Sequence, residues 1–285
     1  MSRFLLAVLL VFPVDAAIYA QYNPGAKQIA LANSDVGQSD DVFSVFSNTA
    51  GLSQMGWREI GVYYSPAPFG FTELANGFIA YHEPFSIGSL GLGFMTSGYD
   101  LYRESRLTLA FSYSYQGSLF AGVSINYHNV SIKNYGSDGV FYIDLGGLFY
   151  LTNKIRWGFA LHNINHASFG DYDDQIPVIL NSGISVDILT NFTFNAAIEK
   201  DIRYNASIMF GLDYQVIRYV SIRSGFSNEP SRFTSGIGIH YSFISLDYAV
   251  FTHTELGLTH QAGIIISFGS GESRKDKIRK YAGME

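Results

Sequence analysis

The chain of 285 residues has no cysteine, only seven prolines and only two tryptophans. Without cysteine there is no disulfide framework, no thiolate nucleophile and no thiolate metal site. Charge is scarce as well: 15% of the residues are charged, where about a quarter is usual in a soluble domain. The balance is acidic, at -6, and no glycine-rich phosphate loop is present, so nucleic acid is not an expected partner. No apolar run reaches the roughly 18 residues of a membrane-spanning helix. The longest, Phe4 to Val14, is interrupted by Pro13.

That run has a different use. Arg3 supplies a positive start, Phe4–Val14 an apolar centre, and Ala16, Ala17 and Ala20 a zone of small residues. The pattern is that of a secretory signal peptide covering residues 1–20. No cysteine follows it, so no lipid attachment is expected.

What the chain has in excess is glycine (29), tyrosine (20) and phenylalanine (23). From Trp57 to Phe268 these residues fall into a steady alternation. In Leu119 to Asn129, one face carries Leu119, Ala121, Val123, Ile125 and Tyr127, and the other Phe120, Gly122, Ser124, Asn126 and His128. Strand side chains alternate between faces, so one face is oily and the other polar or small. The pattern predicts strands near 57–64, 72–82, 86–97, 103–116, 118–131, 139–151, 154–164, 177–188, 191–200, 204–215, 218–227, 231–243, 244–253 and 258–268. Tight turns such as Gln116-Gly117-Ser118 alternate with longer polar connections such as 97–105, 131–139 and 165–177.

Strands of a soluble sandwich run to about five or six residues, whereas about ten tilted residues cross a bilayer. The expected fold is therefore all-β: a transmembrane antiparallel β-barrel of about 14 strands over residues 57–268, in the bacterial outer membrane and in contact with its lipids. Tyr63, Tyr64, Tyr113, Tyr115, Tyr127, Tyr150, Trp157, Tyr241 and Phe243 gather near strand ends and suggest aromatic girdles. Polar residues predicted to face the lumen are Glu59, Asp144, Asp187, Glu199, Asp213, Arg223 and Asp247, with His128 and His240. On the face assignment, Ile239→Arg on the lipid side should block or weaken membrane assembly, and Gly238→Ser on the lumen side should not. Residues 269–285 form a basic periplasmic tail, most simply a solvated one, able to meet a partner or an anionic surface.

Between the leader and the first strand lie residues 21–56, which are too apolar for a surface loop. A barrel this wide is not filled by its wall side chains alone, so this segment is expected inside the lumen as a plug. Asp40 and Asp41 are placed to cap a short helix over Val42–Phe46, and Gly51 to end it in a left-handed turn. Gly25-Ala26, Asp40-Asp41 and Asn48-Thr49-Ala50-Gly51-Leu52 resemble the N-terminal signature of FadL-like outer-membrane barrels, and of the PorV/PorQ family within them. Thr49 stands where that family has proline. The motif residues are Asp40, Asp41, Phe43, Phe46, Asn48, Ala50, Gly51 and Leu52.

The resemblance implies a component of type IX secretion or cargo attachment at the cell surface, with secretion-system proteins or secreted cargo as partners. Its alternative implication is a FadL-like transporter of hydrophobic small molecules, with a hydrophobic ligand. An enzyme is not expected: around His82, His128, His162, His166, His240, His253 and His260 there is no serine elbow and no paired acid. Asp171, Asp173 and Asp174 are close enough to hold calcium but miss the EF-hand spacing, so no metal and no cofactor is expected.

Overall fold

The computed structural model describes residues 24–170, 174–253, 256–269, 274–281 and 283. The leader, Asp171 and Asp173 lie outside the described residues. Strands form at Arg58–Ser65 (β1), Asn76–Phe85 (β2), Gly88–Gly98 (β3), Tyr102–Tyr115 (β4), Leu119–Ile132 (β5), Gly136–Thr152 (β6), Ile155–His162 (β7), Ser168–Phe169 (β8), Asp174–Gln175 (β9), Ile179–Leu189 (β10), Phe192–Asp201 (β11), Ser207–Ile217 (β12), Val220–Asn228 (β13), Ser231–Tyr241 (β14), Ile244–His253 (β15) and Gly257–Phe268 (β16). The short β8 and β9 form a ribbon of their own, the other strands pair in chain order with β7 joined to β10, and β1 pairs with β16 to close a barrel of 14 antiparallel strands. The seam runs in register from Arg58 opposite Phe268 to Tyr64 opposite Ala262.

Closure leaves no unpaired edge, which is what lipid demands of a sheet. Register shifts fall at the tight turns, next to Thr152, Leu189 and Ile217. The outer faces are oily, with Val62, Leu92, Leu109, Ile125, Phe210 and Ile237 exposed, while Thr108, Ser112, Asn126, Ser185 and Asn195 are buried on the inner face.

Residues 24–55 lie inside the ring. They fold as a helix at Ala26–Ala30 (α1) and single 3-10 turns at Asp35–Gly37, Val42–Val45 and Thr49–Gln54. Helix α1 packs on β13–β16, the first turn on β7, β10 and β11, the second on β1–β4 and the third on β3–β6. One short segment can touch strands all round a ring only from within it.

The wall admits the segment by means of glycine. A Cβ built on Gly158 would lie 2.2 Å from the Val36 carbonyl oxygen, one on Gly122 2.4 Å from the Ala50 nitrogen, and one on Gly211 2.4 Å from Ser34 Oγ. Gly61, Gly91, Gly146, Gly225 and Gly236 are pressed in the same way, so the inner-face glycines form a collar around the segment.

Several expectations need correction. Asp41, not Asp40, caps the turn at Val42–Val45, its side chain accepting from the Phe43 amide at 3.0 Å. Gly51 ends no helix; it lies within the turn at Thr49–Gln54, where a Cβ would meet the Ser39 carbonyl oxygen at 2.0 Å. Tyr63 and Tyr150 are not in a girdle but point inward, to Gln261 and Gln54. The connections at 97–105 and 131–139 are mostly strand, because Tyr102–Arg106 pairs with His128–Ile132 and carries the sheet outward. Gly238 is not open space: a Cβ there would lie 2.6 Å from Asp247 Oδ1 and 2.8 Å from Arg223 Nη1, so serine would disturb that pair. Residues 274–281 are not a solvated tail but a helix, Arg274–Tyr281 (α2), with Ile278 buried against the barrel end.

Candidate functional site

The lumen has a charged floor and an apolar column. The floor is built around Lys27, a lone cation in an apolar helix, buried to 7% exposure. Its ammonium donates to Asp40 and lies 3.5 Å from Asp41 Oδ2. Gln28 Nε2 donates to Asp41 Oδ2 at 2.7 Å and Gln38 Nε2 to Asp40 Oδ2 at 3.2 Å. Burial works against each of these charges, and their partners decide the outcome. For Lys27 the aspartates outweigh burial and raise its pKa. For Asp40, Lys27 and Arg274 outweigh burial and hold the carboxyl below the usual range. For Asp41 burial prevails and the pKa is raised. For Asp35 burial outweighs the pull of Lys27, and with Asp41 and Asp40 nearby the carboxyl is pushed up to about 7.

Glu59 joins four parts of the chain. Its carboxylate accepts from the Val42 amide (3.1 Å), from Trp57 Nε1 (2.8 Å), from Ser267 Oγ of the last strand (2.6 Å) and from Arg274 Nη2 of α2 (2.7 Å). Asp187 is a second hub, accepting from Arg156 at 3.2 Å and pairing with Lys275 (3.2 Å) and Arg279 (3.3 Å) of α2.

The remaining predicted lumen residues face inward but do not form one site. Arg223 holds Asp213 at 3.2 Å and Asp247, and its Nη2 lies 3.4 Å from His240 Nε2. Asp144 accepts from Asn126 and from the Asn163 amide, both at 2.8 Å. Glu199 accepts from Asn181 at 3.3 Å, and His128 meets Glu104 at 3.2 Å. A polar cavity of about 130 Å³ lies between the floor, α2 and the β12–β16 wall, lined by Lys27, Asp40, Asp213, Arg223 and Arg274 among others. No cluster of metal ligands occurs among the described residues.

Phe43, Phe46 and Leu52 belong to the apolar column, which runs the length of the lumen along β1–β3 and β15–β16. At the long-loop end, Phe69 of the connection between β1 and β2 packs edge-on against Phe251 at 5.6 Å. Below, Tyr63 and Phe46 each meet Phe78 edge-on, at 5.6 and 5.3 Å. The column continues through Met95, Val45, Leu52 and Met55 to Trp57 and Ile278 at the tight-turn end. Asn48 and Ala50 stand apart, against β4–β6: Asn48 Nδ2 donates to the Gly147 and Val36 carbonyls (3.1 and 2.9 Å), and Ser112 Oγ donates to the Ala50 carbonyl at 3.0 Å.

Sequence reasoning missed Lys27, Arg106, Arg156 and Arg274. The signal was there for Lys27, a single cation within an apolar stretch and 13 residues before an acidic pair. Arg106 and Arg156 share the inward parity of Thr108 and Ala160, so the alternation carried their signal, whereas Arg274 lies beyond the strands, where no such period applies.

The solved structures most like this one include the CymD monoaromatic hydrocarbon channel (TM-score 0.68, 13% identity, covering 88% of this chain and 99% of that one). The toluene transporter TodX of P. putida follows (0.65, 13%, 86% and 97%), as does a Pseudomonas aeruginosa FadL homologue (0.57, 12%, 86% and 97%). The chain has the fold of the FadL-like outer-membrane barrels. Its place is therefore the bacterial outer membrane, with tight turns at the periplasmic end and longer loops outside. No family model matches the chain, and no curated protein matches it in sequence.

Proposed function

We propose that the protein passes small hydrophobic molecules across the outer membrane, with residues 24–55 as the plug that the solute must get past. The observation that carries this reading is the apolar column, continuous from Phe69 at the outer end to Ile278 at the inner. A polar solute gains nothing from such a path, whereas an apolar one can exchange with the side chains that fill it at little cost in transfer free energy. The barrels most like it include channels for monoaromatic hydrocarbons and toluene. No step makes or breaks a bond, so the reading needs neither catalyst nor cofactor.

The test is uptake of labelled toluene by cells carrying the protein, against cells carrying Phe46→Asp. Uptake should fall to the level of cells without the protein. Equal uptake in the two, with both barrels folded by heat-dependent gel migration, rejects the column as the route.

A second reading is a PorV/PorQ-type part in type IX secretion or cargo attachment. Its support is the Asp40-Asp41 and Asn48-x-Ala-Gly-Leu pattern, residues that here seat the segment against the wall. Recovery of secreted cargo with the purified barrel, together with no hydrocarbon uptake, would favour it over transport.

A further inference from the structure

Helix α2 comes after the strand that closes the sheet at Phe268. It follows β16 on the periplasmic side and turns back across the mouth. Three cations on its inner face reach two buried acids. Arg274 Nη2 lies 2.7 Å from Glu59 Oε1, and Lys275 and Arg279 lie 3.2 and 3.3 Å from Asp187. Arg274 also reaches the N-terminal segment directly, Nη1 donating to the Asp40 carbonyl at 2.7 Å. Between these polar contacts Ile278 is 3% exposed and ends the apolar column beside Trp57. The Tyr281 ring rests on Gly56, where a Cβ would lie 2.3 Å from it.

We propose that α2 is a lid on the periplasmic mouth that bolts the plug in its closed position, so that the lid must lift before the plug can move. Each part of this rests on a contact. The helix covers the inner end of the column with Ile278. It ties wall to plug through Arg274, which holds Glu59 of β1 and Asp40 of the segment at once. It anchors its far side on Asp187 of β10. The acids it covers are already partnered within the barrel, Glu59 by Trp57 and Ser267, Asp187 by Arg156 and Thr193. Lifting the lid therefore leaves neither acid without donors, which is what a reversible contact requires and a permanent one does not. The inference deepens the transport reading, since it names what holds that route shut.

The test uses the full chain in planar bilayers, with potassium chloride as the probe. The native chain has no cysteine, so Gly56→Cys with Tyr281→Cys gives a single possible disulfide that pins the lid. Arg274→Ala, Lys275→Ala and Arg279→Ala are combined in one variant to loosen it. The loosened variant should conduct several-fold more than the native barrel, and adding the oxidised cysteine pair to it should restore the native level. Native-like conductance in the loosened variant overturns the lid. So does high conductance that the disulfide leaves unchanged. Should the triple variant fail to assemble, Ile278→Ser, which keeps all three ion pairs, carries the same expectation and the same refutation. Ion conductance needs no hydrophobic solute, so the two ideas fail separately. Toluene uptake that persists while conductance ignores the lid removes the lid alone. Lid-dependent conductance with no toluene uptake by the native protein removes the transport reading alone.

Discussion

At the scale of single residues, two carboxylates make contrasting predictions. Asp35 is buried among other acids, and its pKa is pushed up to about 7 from an ordinary 3.8. In the unfolded chain it ionises near pH 4, so between there and about 7 the native state keeps a proton that the unfolded state has lost. Asp35 therefore favours the folded state fully below that window, and the benefit fades as pH rises through it. Asp35→Asn should flatten the decline and raise the unfolding temperature at pH 8 relative to the parent, with little change at pH 4. Glu59 is the contrasting case by its contacts, as the acceptor for four donors. Glu59→Gln keeps the shape but loses the charge opposite Arg274, and breaking a buried pair typically costs about 3–5 kcal/mol. The expected readout is a lowered denaturant midpoint for the barrel. At this scale the sequence was partly legible. Tyr63 shares the parity of Glu59, and Tyr150 that of Asp144, so alternation already placed both tyrosines inside. The aromatic-girdle argument overrode a stronger signal.

At the scale of elements, the strands were legible and their interior partners were not. All fourteen barrel strands fall within a few residues of the spans that alternation predicts, because lipid outside and polar contacts inside impose a period of two on every strand. Ile237 sits mid-strand on the outer face of β14, so Ile237→Arg should cost about 2–4 kcal/mol if it lies at the bilayer midplane, read as loss of folded barrel in a urea titration. The glycine collar was visible only as small residues on the inner face. Their purpose depends on which backbone lies against them, and that is set by contacts far apart in sequence, such as Asn48 to Gly147. Gly158→Val should push the segment off β7, because its Cβ would sit 2.2 Å from the Val36 carbonyl oxygen. Raised ion conductance with an intact barrel is the expected result, and native conductance would show that the segment yields without leaving the wall. The ends of β4–β6 were read as loops because their residues are polar. Polar residues still pair across an antiparallel ribbon, as Arg103 and Ser131 do.

At the scale of the whole molecule, the barrel is a container filled by the segments that flank its strands in sequence. Residues 24–55 occupy the lumen and α2 covers one mouth, so the stretches before and after the strands meet inside the wall that the strands make. Deleting residues 24–55 should leave a barrel that still assembles, since the strand ladder is continuous without them, but one with a wide and steadily conducting lumen. A deletion variant that stays closed would show that the wall collapses inward or that the loops seal it.

The meeting at Glu59 also constrains how such a chain is made. Ser267 lies 208 positions from the carboxylate it donates to, so that bond forms only after the final strand has arrived. Loop closure over such a length carries a large entropic cost, and until it is met the sheet has two raw edges. The N-terminal segment leaves the export machinery first, yet the strands that hold its helix α1 in place, β13–β16, are delivered last. A chaperone in the periplasm would have to shelter an apolar segment whose cavity does not yet exist, which makes biogenesis, more than equilibrium stability, the step at which substitutions in this segment should be felt.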